Sequence, residues 1–282
     1  MTARHPPRPL VITRPEPDNQ LWAAQLQALG HRTLSLPLME IAPSTHPEAL
    51  AALTQALAHW PCYRALMFVS ANAVRYFFQH PLVQAAGIAP EALALRCWSP
   101  GPGTSKALLA AGVAPELIDA PAADAAQFES ETLWQQVAQQ VQQGDRVLIV
   151  RGAEPGGGAQ PAQGTGRAWL AQQLALHQAQ AVFAPVYERC PPLATPAWLE
   201  QLQACLVQPA LWLFSSSECV QNLRLLIRNT PWDPAQGGPW QTHLALATHP
   251  RIAQQARALN FAQVLESRPA LSDLHRCIQS LP

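Results

Sequence analysis

Six times along this chain, a short apolar run passes through a polar or Gly/Pro turn into a segment with helical spacing, and this pattern constrains the fold most. "LVIT" (10–13) leads to "QLWAAQLQALG", "ALMFV" (65–69) to "AVRYFFQ", and "LRCWS" (95–99) to "SKALLAAG". "RVLIV" (146–150) leads to "AWLAQQLALH", "LWLF" (211–214) to "CVQNLRLLI", and "HLALA" (243–247) to "IAQQARAL". Strand-turn-helix units in series imply α/β architecture with mostly parallel sheets. In the first helix Leu21, Leu26 and Leu29 are expected to share one face, with Gly30 as the C-cap.

Two segments break the rhythm. "TLSLPLMEIAPS" (33–44) and "VFAPVYERCPP" (182–192) are extended, carry an internal proline and end at proline. Proline lacks a ladder donor, which predicts edge strands or a narrow ribbon. With 282 residues, enough for about two domains, the two segments are expected to cross together as a linker, near 34–42 and 182–189. One domain, 41–184, is then nested inside the other, 1–40 plus 185–282. A weak internal echo supports two related halves: "FVSANAV" and "FSSSECV" share F-x-S-x-x-x-V, and "VITR" and "LIVR" both end a strand on arginine.

Composition narrows the function classes. Hydrophobic residues are 49% of the chain, enough for real cores, while charged residues are only 13% and the net charge is zero. The absence of a Lys/Arg run argues against a nucleic-acid binder. The apolar runs are strand length, too short to span a membrane. "MTARHPPRPL" lacks the apolar core of a signal peptide, so the cytoplasm is the expected location. Six cysteines without a C-x-x-C pair are expected mostly as buried thiols, and nine histidines show no metal-ligand spacing. No metal site is expected.

In open α/β sheets ligands bind at the carboxyl ends of strands, on the loops that start helices. Here those loops are rich in hydroxyls and glycine: Ser70 and Asn72, Gly101 and Thr104, Ser215 and Ser216, and Thr248. Free N–H groups at helix starts favour anions, so such loops can hold an anionic ligand with few cations. Each also has a plainer reading as a helix N-cap. Arg14 and Arg151 read as carboxylate clamps or, equally, as strand-end arginines that are solvated or paired locally. "GPGTSK" lacks the phosphate-loop spacing, no dinucleotide fingerprint follows any strand, and "SSSE" is no nucleophile elbow. Tyr187, one of only three tyrosines, reads most simply as a packed ring with a wet hydroxyl.

Read together, "LVITRPEPDNQLWAAQLQALG", "LPLMEIAP", "FVSANAV", "GPGTSKALLAAG", "LIVRG", "GRAWLAQQL", "VYERC", "FSSSECV" and "HPRIAQQARALNF" resemble, in order and spacing, the uroporphyrinogen-III synthase family. The resemblance implies two flavodoxin-like parallel-sheet α/β domains joined by a two-stranded β linker, with the site in the cleft between them. It implies a lyase that cyclises hydroxymethylbilane, a linear tetrapyrrole, to uroporphyrinogen III with loss of water and inversion of ring D. It further implies no cofactor, a monomer, and a transient handover from hydroxymethylbilane synthase. By the same resemblance Tyr187 is the candidate acid that faces the cleft mouth. Ser70, Asn72, Gly101, Thr104, Ser215, Ser216 and Thr248 would bind substrate, with Arg14 and Arg151 as further contacts. Two departures stand out: the long loop 153–165, and Asn260 where the family commonly ends the helix on Gly. A non-catalytic two-domain small-ligand-binding protein is the alternative reading.

Overall fold

The structure, a computed structural model, describes residues 8–121, 130–153 and 166–281. The long loop expected at 153–165 lies outside the described residues, apart from Ala153. Among the described residues the strands are β1 (Leu10–Ile12), β2 (Thr33–Ser35), β3 (Glu40–Pro43), β4 (Ala65–Phe68), β5 (Arg96–Trp98), β6 (Ile118–Asp119), β7 (Arg146–Gly152), β8 (Gln180–Cys190), β9 (Leu211–Phe214), β10 (Leu244–Ala247) and β11 (Gln263–Glu266). Each of the six apolar runs is a strand, and each is followed by a helix: Asp18–Ala28, Ala71–Phe78, Pro102–Ala111, Gly166–Leu176, Ser217–Leu226 and Pro250–Arg257.

The chain divides into two compact units, one up to Glu40 and again from Cys190, the other Ile41–Arg189. The first unit carries a sheet in the order β11-β10-β9-β1-β2, the second a sheet in the order β3-β8-β7-β4-β5-β6. All pairs from β11 to β2, and from β8 to β6, are parallel. Counted along its own chain, the first sheet runs 2-1-3-4-5, the flavodoxin order. The sheet of the second unit matches it once β7 and β8 are set against β1 and β2, and β4, β5 and β6 against β9, β10 and β11. It then has the same spatial order, entered by the chain at a different strand, with β3 added beside β8.

Parallel strands in such sheets are covered on both faces and read as continuous apolar runs. On β4, Leu66 and Phe68 enter one core with Leu148 and Val150 of β7, while Ala65 and Met67 face another with Val147 and Ile149. Fully burying a side chain of this size contributes about 1.5–3 kcal/mol, so the two faces together hold the sheet. In the first unit Leu10, Ile12, Leu211, Leu213 and Leu246 share a core with Leu26 and Leu274. The opposite face sets Trp212 edge-to-face with Trp240 at 5.2 Å and Phe214 edge-to-face with Phe261 at 5.9 Å.

Four expectations change. In the helix Asp18–Ala28 only Leu26 is buried among the three leucines; Leu21 and Leu29 are exposed. Trp22 and Ala23 flank Leu26 on the core side instead. Segment 33–44 is no single crossing strand, because β2 joins the first sheet and β3 the second. The return boundary falls at Arg189/Cys190, later than the expected 184/185. Finally, β8 is an inner strand despite Pro185, since it lies between β3 and β7. The β7–β8 register pairs Arg151 with Pro185 but Gly152 with Tyr187, a bulge at the proline. Prolines inside sheets are tolerated at such irregularities because no ladder donor is needed there. Two glycine-type positions agree with expectation: Gly30 has φ of +85° and Asn260 φ of 60°, both left-handed helix ends.

Candidate functional site

In each sheet there is one point where the chain's excursions diverge to opposite sides, and ligands in open α/β sheets bind beyond the strand ends there. In the second sheet it lies between β4 and β7, in the first between β1 and β9. The internal sequence echo marks the same places. Phe68 and Phe214 close β4 and β9, Ser70 and Ser216 cap the helices that follow, and Val74 and Val220 are buried in those helices. Arg14 and Arg151 stand at the ends of the neighbouring strands β1 and β7.

In the second unit, Ser70 caps the helix Ala71–Phe78: the Ala73 N–H donates to Ser70 Oγ at 3.1 Å. The same oxygen lies 3.2 Å from the hydroxyl of Tyr187. Tyr187 is only 1% exposed. It belongs to the core of this unit, beside Val186, Phe68 and Val150, so the expected position at a cleft mouth is corrected. The bulge at Pro185 explains why: it turns the Tyr187 ring over Gly152, where an added Cβ would lie 2.7 Å from ring atoms Cε2 and Cζ. The Tyr76 ring packs against it at 5.7 Å, and the Arg189 guanidinium stands 5.9 Å from its centroid.

Ser70 also lines an open hollow of about 320 Å³ with Val69, Gly101, Pro102, Gly103 and Thr104. Gly101 precedes the helix Pro102–Ala111 and its carbonyl accepts from Ser99 Oγ at 2.9 Å. Ser105 Oγ donates to Ser99 Oγ at 2.9 Å, which pins the loop from below. Thr104 is 6% exposed. Asn72 accepts from Arg75 Nη2 at 3.2 Å. Arg151 is fully buried, its guanidinium carbon 6.0 Å from the Phe183 ring centroid, so of its expected readings the solvated one is excluded.

In the first unit, Ser216 caps the helix Ser217–Leu226 by accepting from the Glu218 N–H at 3.1 Å. Ser215 is half-buried beside it. The Thr248 N–H donates to the Phe214 carbonyl at 3.0 Å, which ties the ends of β9 and β10 together. The cap of the following helix is His249, whose Nδ1 accepts from the Arg251 N–H at 3.1 Å. Arg14 is half-buried, stacked 3.9 Å over the Trp22 ring and 3.8 Å from Asp18. Burial pulls its guanidinium down from the usual arginine range, with Asp18 opposing. Thr13, which sequence reasoning passed over, donates to the Leu213 carbonyl at 2.6 Å and locks β1 to β9.

Ser70, Gly101 and Thr104 thus share one hollow, Tyr187 stands behind Ser70, and Ser215, Ser216, Thr248 and Arg14 belong to the other unit. Gly152, Tyr76 and Ser99 were missed from the sequence; only Gly152, the glycine that closes the strand "RVLIVRG", carried a local signal. Among the described residues no group of three or more His, Cys, Asp or Glu side chains is placed to hold a metal ion. No helix among them is long and apolar enough to cross a membrane. Cys97, Cys205 and Cys219 are buried, and burial pushes each thiol up to about 12; Cys62 is exposed.

These features define a parallel-sheet α/β protein with hydroxyl-rich loops at both switch points. A family model described as uroporphyrinogen-III synthase HemD matches residues 20–275, and the chain belongs to that family. Among solved structures it is similar to a mutant uroporphyrinogen III synthase from Thermus thermophilus, at 17% identity over 96% of each chain with a TM-score of 0.46. The wild-type enzyme of that organism matches at 17% identity over 96% of this chain and 95% of that one, TM-score 0.40. A third Thermus thermophilus uroporphyrinogen III synthase structure matches at 15% identity over 96% of each chain, TM-score 0.37. A comparison with curated protein sequences finds no match.

Proposed function

We propose that this protein is a uroporphyrinogen-III synthase, a lyase that closes hydroxymethylbilane to uroporphyrinogen III with loss of water and inversion of ring D. The observation that carries this reading is the family match across residues 20–275. The chemistry suits what the loops offer. Departure of the hydroxyl from hydroxymethylbilane gives an azafulvene cation stabilised by the pyrrole nitrogen's own electrons, so only a modest proton donor is needed. Spontaneous closure joins the ends head to tail and yields the wrong isomer. The protein must therefore fold a flexible polyanion so that ring D presents its substituted carbon, passing through a spiro intermediate. Holding reactants in geometry can contribute about 7–11 kcal/mol in well-oriented cases, without strong acids or bases.

In this reading Ser70, Asn72, Gly101, Thr104, Ser215, Ser216 and Thr248 receive substrate carboxylates with neighbouring backbone N–H groups. Hydroxyls and helix N-termini suit that role in a chain with only 18 Lys and Arg. Arg14, already paired with Asp18 and stacked on Trp22, keeps part of its charge accessible for a carboxylate. Arg151, being buried, would act only through the strand end it supports. Segments 34–42 and 182–189 would serve as the linker, and the enzyme would work as a cytoplasmic monomer that takes its substrate from hydroxymethylbilane synthase.

A coupled assay tests the reading: hydroxymethylbilane is generated in situ and type I is resolved from type III porphyrin. Type III product at a rate proportional to this protein is expected. Type I alone would sink the proposal.

A further inference from the structure

We propose that Ser70, and not Tyr187, is the hydroxyl that meets the leaving group, with Tyr187 as the buried positioning residue behind it. The inference rests on the synthase reading and assigns the donor within it. Two observations separate the residues. Ser70 lines the open hollow at the end of β4, whereas Tyr187 is 1% exposed and packed in the core.

The hydrogen bonds then set the direction of the protons. A hydroxyl has one proton and two acceptor lone pairs. The Tyr187 hydroxyl lies 3.2 Å from Ser70 Oγ, its single hydrogen-bond partner among the described residues. A buried donor left without an acceptor is costly, so Tyr187 donates and Ser70 accepts. The Ala73 N–H fills the second lone pair of Ser70 at 3.1 Å. The proton of Ser70 then has no acceptor behind it and is directed into the hollow. Gly152 and the Tyr76 ring hold the phenol in this line, since the ring rests where a Gly152 side chain would be.

The step balances. The C–O bond of the hydroxymethyl group breaks with its electron pair going to oxygen, while the pyrrole nitrogen lone pair forms the new double bond. The leaving oxygen takes the Ser70 proton and departs as water, and Ser70 Oγ takes the phenolic proton of Tyr187. The resulting phenolate balances the azafulvene cation, with the Arg189 guanidinium 5.9 Å from the ring. Loss of the ring-carbon proton after closure restores both hydroxyls.

The test uses the full chain in the coupled assay with Ser70→Thr, Ser70→Asn, Tyr187→Phe and the Ser70→Asn/Tyr187→Phe double variant. Thr keeps both cap and hydroxyl, whereas Asn caps a helix as well as Ser but brings no hydroxyl. Phe keeps the ring on Gly152. Ser70→Thr is expected to retain type III formation within about threefold, and Ser70→Asn and Tyr187→Phe each to lose about 100-fold in kcat. Melting temperature should stay near wild type in every variant and KM in Tyr187→Phe, and the double variant should lose no more in kcat than either single. The wild-type solvent isotope effect should show two protons in flight and that of Tyr187→Phe only one. Undiminished kcat in Ser70→Asn, or in Tyr187→Phe, would overturn the arrangement while type III from the wild type leaves the synthase reading standing. Type I alone from the wild type would overturn both.

Discussion

At the scale of single residues, Gly152 explains more of the candidate site than its size suggests. It follows the last ladder pair of β7 before the bulge, and the Tyr187 ring occupies the space its side chain would fill. Its backbone is not left-handed, so the demand for glycine comes from the close approach of the ring alone. Gly152→Ala must move that ring or the strand end, and overpacking of this kind costs about 1–3 kcal/mol. The expected outcome is a lower denaturant midpoint together with a fall in type III formation, because the displaced phenol no longer reaches Ser70. Urea unfolding and the coupled assay measure the two effects; a fully stable, fully active variant would show that the ring is not fixed here. Tyr187 itself illustrates why residue-level reading stops short. Its strand, its proline and its place before a helix-free stretch are all local, but its burial depends on Gly152 and Ser70, which stand far from it in the sequence.

At the scale of elements, the loops that begin helices were legible because apolar runs ended in Ser, Thr, Gly or Pro, and those residues do cap. Ser70, Ser216 and Thr195 each accept from a backbone N–H in the first turn. What was not legible is which strands neighbour which. Pro185 argued for an edge, and only the β7–β8 register reveals the bulge that lets an inner strand carry it. The helix Asp18–Ala28 shows the same limit on a smaller scale. Spacing put Leu21, Leu26 and Leu29 on one face, but the strip that meets β1 and β9 is narrow and takes Leu26 alone of the three, while Leu21 is 58% exposed. Leu26→Ala is therefore expected to cost about 2–5 kcal/mol, whereas Leu21→Ala stays within about 0.5 kcal/mol. Denaturant unfolding of the two variants checks the contrast, and equal losses would mean that the helix is seated differently.

At the scale of the whole molecule, the two sheets repeat one spatial strand order with the chain entering at different points, which is why the sequence echo runs out of step: "VITR" opens one unit, while "LIVR" comes late in the other. The echo survives because the same end of each sheet needs a capping hydroxyl after one strand and an arginine after its neighbour. Stability depends on pH through histidines that the fold draws away from water. His243 is fully buried, and its Nδ1 accepts from the Ala210 N–H at 3.1 Å and from Trp212 Nε1 at 3.4 Å. A proton on Nδ1 would face two donors, and burial, with Arg8 adding to it, pulls the imidazole down to about 4. Burial also lowers His31, beside His275, and His80. A histidine depressed in the folded state leaves stability intact above the unfolded value of 6.5. As pH falls below that, the unfolded chain takes up a proton that the folded chain refuses, so stability declines until the folded group titrates as well. For His243 alone the loss between pH 7 and pH 5 comes to about 2 kcal/mol at one pKa unit per 1.36 kcal/mol. His243→Asn keeps an acceptor for both donors but cannot titrate. Its unfolding free energy, measured in urea across this range, should fall less steeply with acid than that of the wild type, keeping the slope due to His31 and His80. Identical slopes would show that His243 takes up its proton in the folded protein over the same pH range as in the unfolded chain.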